Sequence, residues 1–469
     1  MYRLIGYQFI FVYILLLALA IFTDSYAFVS IVLFITIILS ILYKMGKGIV
    51  MLESITLFYV FTCLVMPVVG YKYYTSQHYM ARLFKRYMQV PEENYFTYAL
   101  PALLIFTIIL SFPLHSRKVE DSDAFLYRHI KRIKQYLVRH PQIGASIMVV
   151  GLAEMFLTRF IPGSIKFFFD IFFFSSFAGL LMVYFGKDYK YKTVLVPIFI
   201  ALVLFRALES TMFTVIAYMS VALSSFFVIG NKTGILKKVG YFFVGCFFIL
   251  VLQNTKMAYR RALRVSGISG TAQISTFVDI VKNQFFVSQT FFQVDEFYPL
   301  FVRFNQGYNV SMVMKRIPVV QDFDEGDMVF KSLLASVTPR FLWPDKPMAG
   351  GHFNMKYYAG ITITNYSTNV GPLGELYGAF GVLGGIAALS LLAFYIRFVY
   401  FKIWRISMKY PIMILWLPVI FYQATYSAEN DVLQILNSTL KTAFFLWLLS
   451  KIRPTWFGIE KKYAANKKI

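Results

Sequence analysis

Nine residues, KMAYRRALR, put Lys256, Arg260, Arg261 and Arg264 in one short stretch. Arg260 and Arg264 lie four apart, which sets them on one face of a helix. A guanidinium is a planar, permanently charged fork of donors, so two of them on one face suit the oxygens of a diphosphate; contact with lipid headgroups is the rival use. Further along comes PRFLWPDKPMAGGHFNMKYYAGITITNYSTNVGPLGELYGAFG, residues 339–381. Arg340, Lys346 and Lys356 place cations on it, Trp343 offers an aromatic wall, and Pro339, Pro344 and Pro347 deny it helix continuity. Arg206, in the turn FRALES, is either an anion ligand or half of a local ion pair with Glu209.

If a hydroxyl displaces a diphosphate, some group must take its proton, a role worth about 10²–10⁴-fold in rate. The candidates near these cations are Glu375, His352 and the acidic run Asp322, Asp324, Glu325 and Asp327. Glu375 ranks first because the helix it opens is rigid and starts at a membrane surface. The acidic run does not fit a calcium-loop template and reads better as a solvated turn or helix start. Gly374, Gly378, Gly381 and Gly385 recur at 4, 3 and 4 residues, a stripe that lets a backbone or a ligand come close. Signatures of nucleotide, zinc and redox chemistry are absent, and the five histidines are too scattered for a metal site, so neither metal nor cofactor is expected.

These groups must be positioned by a very apolar chain. Of 469 residues, 58% are hydrophobic and 19% aromatic, while 15% are charged. A soluble domain has about 45–50% apolar and about 25% charged residues. The expectation is an all-α polytopic membrane protein, which excludes a soluble enzyme, a disordered chain and a disulfide scaffold. Cys63 and Cys246 both fall in apolar runs. Twelve stretches approach the roughly 20 residues a span needs: 6–22, 26–43, 49–70, 95–112, 143–160, 167–185, 192–208, 211–229, 239–253, 369–396, 410–427 and 432–450. The first reads as a retained signal anchor. Glu53, Glu154 and Asp170, inside spans, are expected to pair with basic neighbours or lie near an interface, with contact to substrate the lesser possibility.

The net charge of +23 is explained by topology, without nucleic acid. With the N-terminus inside, inner segments carry 26 Lys and Arg, short outer segments 8, and the long segment 254–368 the other 12. That is the positive-inside bias, giving N-in and C-in. The chain then divides into nine spans (1–253), a large outer loop rich in Phe (254–368), three spans (369–450) and a basic inner tail (451–469). In 113–142, Leu126, Ile130, Ile133 and Leu137 recur at 4, 3 and 4 among basic residues, predicting an amphipathic helix on the inner leaflet.

The span count with one large outer loop before the last helices, the PRFLWPDKP segment and GELYGAFGVLG together resemble O-antigen polymerases of the Wzy type. The motif likeness covers about 45 residues. The resemblance implies a metal-independent glycosyltransferase of the C type, in a bacterial inner membrane. It would move a growing glycan from polyprenyl diphosphate onto a fresh lipid-linked repeat unit, alongside a flippase and a chain-length regulator. In that reading Arg260 and Arg340, then Arg206, Lys346 and Arg261, hold the diphosphate. Trp343 stacks on sugar, and Glu375 or His352 is the base. An O-antigen ligase, using the same donor on a lipid A core with His352 active, is the alternative. A lipid-linked oligosaccharide flippase is a third reading.

Overall fold

The computed structural model describes residues 2–112, 122–157, 160, 166–186, 192–210, 214–229, 234–266, 272–287, 294–338, 342–347, 350–364, 368–421 and 427–460. Among them the chain is helical, without a strand. This is what an apolar solvent selects, since a helix satisfies its own backbone donors and acceptors.

The helices in chain order are α1 (Tyr2–Phe22), α2 (Tyr26–Lys44), α3 (Met51–Lys72), α4 (Tyr79–Leu83), α5 (Glu92–Ser111) and α6 (Ser122–Arg139). Next come α7 (Ile143–Leu157), α8 (Lys166–Phe185), α9 (Lys192–Ser210), α10 (Thr214–Val228) and α11 (Ile235–Ser266). Helices α12 (Ala272–Lys282), α13 (Val294–Phe304), α14 (Gln306–Arg316), α15 (Asp327–Val337) and α16 (Gly351–Ala359) follow, and then α17 (Gly371–Lys409), α18 (Leu417–Ile420) and α19 (Val432–Ile452). Six of them, α2, α3, α5, α11, α17 and α19, are long and apolar enough to cross a membrane. Large apolar side chains stand exposed along them, among them Phe243, Val244 and Phe247 on α11 and Leu383, Leu391 and Phe398 on α17. Such faces need a bilayer. The protein is an all-α membrane protein.

The described parts of the expected spans are largely helical, with two differences of form. Helix α11 does not stop at 253 but continues to Ser266, so Lys256, Arg260 and Arg264 ride on the same rod as the apolar segment. The described part of 410–427 is a 3₁₀ turn, Pro411–Trp416, leading into the one-turn α18, with Pro418 at its start. Proline removes a backbone donor and clashes with the preceding turn, which breaks this stretch up.

The segment between α11 and α17 packs into the bundle. Helix α14 has eight of its eleven residues buried, from Gln306 to Met314, and Asn305 caps it by accepting from Tyr308 N at 3.2 Å. Helix α3 carries a π turn at Phe61–Val65, where the Cys63 carbonyl accepts from the Tyr95 hydroxyl of α5 at 2.7 Å. Helices α7 and α8 approach backbone to backbone through Gly144, Gly151 and Gly179. A methyl group on Gly151 would stand 2.5 Å from the Phe172 carbonyl oxygen.

At the other end, the amphipathic helix is α6, and its surroundings correct the expectation. Leu126, Ile130, Ile133 and Leu137 are all buried by protein, not laid on lipid. Tyr136 donates to the Thr455 carbonyl at 2.7 Å, Arg132 donates to the Met408 carbonyl at 3.1 Å, and His129 stacks on Trp404. The stripe seats equally well on either apolar partner, and the C-terminal elements supply one. The basic residues stay on the outer face.

Candidate functional site

Helix α17 begins at Gly371 in a left-handed conformation, followed by Pro372, and one turn on it presents Glu375. Glu375 is 2% exposed. Its Oε2 accepts from Val432 N, the first residue of α19, at 2.9 Å. A carboxylate of one helix thus meets the free N–H groups and positive dipole end of another. Asp431 caps the same helix end: its Oδ1 accepts from Gln434 N at 2.6 Å, and Gln434 returns a bond to Asp431 N.

The other Asp431 oxygen accepts from Gly350 N at 2.8 Å and from the Asn369 side chain at 2.9 Å. Asn369 is fixed in turn, because its carbonyl accepts from Gln306 at 2.6 Å and Asn309 at 2.9 Å on α14. Burial pushes the Asp431 carboxyl up from its ordinary value, and the donors on it pull the other way. A third carboxylate, Asp324, accepts from Gly326 N and from the Tyr358 hydroxyl, both at 2.8 Å. Burial pushes Asp324 up as well. It also drives the Tyr358 phenol far above its usual range, with Glu375 and Asp324 adding to the effect, so this hydroxyl stays a donor. The acidic run is therefore the turn that starts α15, as expected, but one of its members reaches the Glu375 neighbourhood.

The glycine stripe serves this packing. Gly378 faces the Tyr358 ring, where an added Cβ would lie 2.5 Å away, and Gly381 faces Phe323. Gly381 has φ 69° and ψ −159°, a kink that divides α17.

A group of cations lies about Glu429. Arg303 on α13 pairs with Glu429 at 2.7 Å. Lys256 lies in the field of Arg260, Arg303 and Glu429, and Arg260 in that of Arg303 and Arg264. Three peptide steps separate Glu429 from Val432, at most roughly 11 Å of chain. The segment from 427 to 432 thus links the cation group to the Glu375 end.

The other expected site residues go elsewhere. Arg206 is held by Glu154 of α7 and lies 4.2 Å over the Phe173 ring. Its charge is spent on a carboxylate that would be very costly to bury alone. Glu53 likewise pairs with Lys44. Lys346 donates to the Ala335 and Thr338 carbonyls at 2.8 and 2.7 Å, closing the C-terminal end of α15. Trp343 is half-buried in the same turn, and Arg261 is exposed on α11. His352 is exposed in the first turn of α16. Arg340 lies outside the described residues.

A cleft opens between α15, α16 and the starts of α17 and α19, lined by Ser332, Phe353, Asn354, Glu375 and Asp431 among others. It is small, with room for about one water molecule. Sequence reasoning missed Asp431, Arg303, Glu429, Tyr358 and Asn354. Only Asp431 carried a signal: Asp-x-x-Gln before an apolar run is a capping box. The described residues contain no group of three or more acidic, His or Cys side chains able to hold a metal. Compared with known proteins, the chain matches no family model, no curated protein and no solved structure.

Proposed function

We propose that the chain is a polysaccharide polymerase, joining polyprenyl-diphosphate-linked oligosaccharide repeat units at the outer face of a bacterial inner membrane. One observation carries the reading. A carboxylate withdrawn from water, Glu375, faces a cleft at the start of a membrane helix, and a group of cations adjoins it through the segment 427–432.

In this reaction a sugar hydroxyl of one repeat unit attacks the anomeric carbon of another. A new C–O bond forms there as the bond to the diphosphate breaks, and the lipid diphosphate leaves with its electron pair. Glu375 takes the hydroxyl proton as the general base. Arg260, Lys256 and Arg303 hold the leaving diphosphate, whose negative charge grows in the transition state. Arg340 remains a proposed diphosphate ligand. Arg206 and Lys346 are proposed no longer in that role, since carboxylate and carbonyl groups already occupy them. The twelve crossings, with both termini inside and 254–368 outside, belong to the same proposal.

The purified protein, given a lipid-linked repeat unit and a chelator, should make a ladder of multiples of that unit. Transfer of single units to a lipid A core would mark a ligase, and neither product would end the proposal. Reporter fusions after residues 80 and 300 should face outward, and those after 120, 235 and 460 inward. An inward signal at 300 would put the site in the wrong compartment.

A further inference from the structure

We propose that the segment from Tyr73 to Arg86 is a docking surface for anionic phospholipid, with its exposed rings and Leu83 seated among the lipids and Arg82 and Lys85 holding the headgroup phosphates.

Chain geometry puts the segment at a membrane surface. Helices α3 and α5 are both long and apolar enough to cross a bilayer, and the chain leaves the first at Lys72 and enters the second at Glu92. The residues between them therefore turn back along one face of the membrane. They do so on a firm seat. Tyr74 and Ala81 are buried together with Tyr298 and Phe301 of α13. The Tyr308 hydroxyl of α14 donates to the Lys85 carbonyl at 3.2 Å, and Gln89 N donates to the Ser311 hydroxyl of the same helix at 3.1 Å.

Anchored in this way, the segment still turns large apolar groups outward. Tyr73 is 50% exposed, Tyr79 53%, Leu83 68% and Phe84 56%. Tyr79 and Leu83 lie four apart on one turn of helix and share its face. Tyr73 and Tyr79 both contact the His78 ring, with centroids 5.4 and 5.7 Å away, and Phe84 stacks on Tyr298 at 6.0 Å. An exposed patch of linked rings marks an interaction surface. Tyrosine settles at the level of the headgroups, where its hydroxyl stays wet and its ring does not. A carbohydrate stacked on the rings would leave Leu83 in water, whereas lipid covers both.

Charge decides between lipid classes. Arg82 and Lys85 stand exposed beside the patch, and neither forms an ion pair among the described residues. Arg86 joins them, lying 4.9 Å over the Tyr308 ring. The nearest carboxylate along the chain, Glu92, is already taken by Lys72 at 2.8 Å. A phosphodiester headgroup with a net negative charge supplies the counter-charge, since guanidinium and ammonium groups both donate to phosphate oxygens. Each cation close to an anionic lipid surface raises affinity about fivefold.

The test uses the full-length protein with one reactive thiol, Leu83→Cys in a Cys246→Ser background, since Cys63 is buried. A nitroxide on that thiol, with the protein in lipid nanodiscs, should relax faster with oxygen than with a water-soluble nickel chelate. A fluorophore on the same thiol, with the protein in neutral detergent, should respond to phosphatidylglycerol at a concentration about 25-fold below that needed for phosphatidylcholine. Arg82→Gln together with Lys85→Asn should erase that preference with the melting midpoint unchanged, asparagine being suited to the φ of 51° at position 85. If the pair melts early, Arg82→Gln alone is read and should remove about fivefold. A nickel chelate more effective than oxygen overturns the proposal. So does an equal response to the two lipids, or a preference undiminished in the variants. Displacement of phosphatidylglycerol by inorganic phosphate or by a soluble oligosaccharide overturns it too, because the surface would then serve a soluble ligand.

Discussion

Replacing Asp431 by alanine should destabilise the protein by several kcal/mol, and the amount follows from the bonds it makes. Losing the N-cap of α19 costs about 1 kcal/mol. Two further donors, Gly350 N and the Asn369 amide, then lose their acceptor. A buried donor left unpaired costs about 1–3 kcal/mol. Asn369 is buried and pays in full, while the partly exposed Gly350 can turn to water. The total is about 2–4 kcal/mol, offset in part because Glu375 loses a repulsive neighbour. Asp431→Asn keeps the cap but turns the other acceptor into a donor, facing both Gly350 N and the Asn369 amide. It should cost about 1–3 kcal/mol, since rotating the Asn369 amide to compensate would break its bond to Val370 N. Thermal unfolding of purified protein in one detergent should therefore rank wild type above Asn above Ala. Limited proteolysis should show the segment before α16 cut faster in the same order. An alanine variant with the wild-type midpoint and cutting pattern would refute the reasoning, because the network would then hold nothing.

Burial and Arg132 lower His129 to about 4, against about 6.5 in a free chain. Its folded pKa is depressed, so the stability from keeping it neutral is complete above pH 6.5 and drains away as pH falls toward 4, by up to about 3 kcal/mol. The melting midpoint should drop across that window in wild type and much less in His129→Phe, which keeps the stacking on Trp404. Arg303→Ala should weaken donor binding about 10–150-fold, the worth of a hydrogen bond to a charged group at about 1.5–3 kcal/mol, while Arg303→Lys loses less. Equilibrium binding of the lipid-linked donor reads this directly, and equal affinities would remove Arg303 from the site. Gly381→Ala forces a side chain into a backbone region that belongs to glycine, at about 1–3 kcal/mol, and should lower the melting midpoint.

Much of the architecture was legible because lipid imposes a simple rule: long apolar runs are helices. That rule fails where proline intervenes, so 410–427 reads as a span by composition while Pro411 and Pro418 break its described part. It also says nothing about what an apolar stripe meets, which is why α6 reads as lipid-bound and lies on protein. At the candidate site, Glu375 and Arg260 stood out in the sequence because a carboxylate and a guanidinium at a membrane surface are costly. The partners did not. Asp431 lies 56 positions from Glu375 and Glu429 lies 126 from Arg303, and no local spacing encodes such pairings. Arg206 misled for the same reason, because its carboxylate is on another helix.

The central claim is that Glu375 accepts the proton of the attacking hydroxyl. The most direct measurement is the single-turnover rate of glycosidic bond formation at saturating lipid-linked donor, in wild type and Glu375→Gln, with donor affinity measured on the same preparations. A base predicts a rate about 10²–10⁴-fold lower with donor affinity unchanged. A wild-type rate in Glu375→Gln would contradict the claim, and a loss confined to donor affinity would reassign Glu375 to holding the cation group in place.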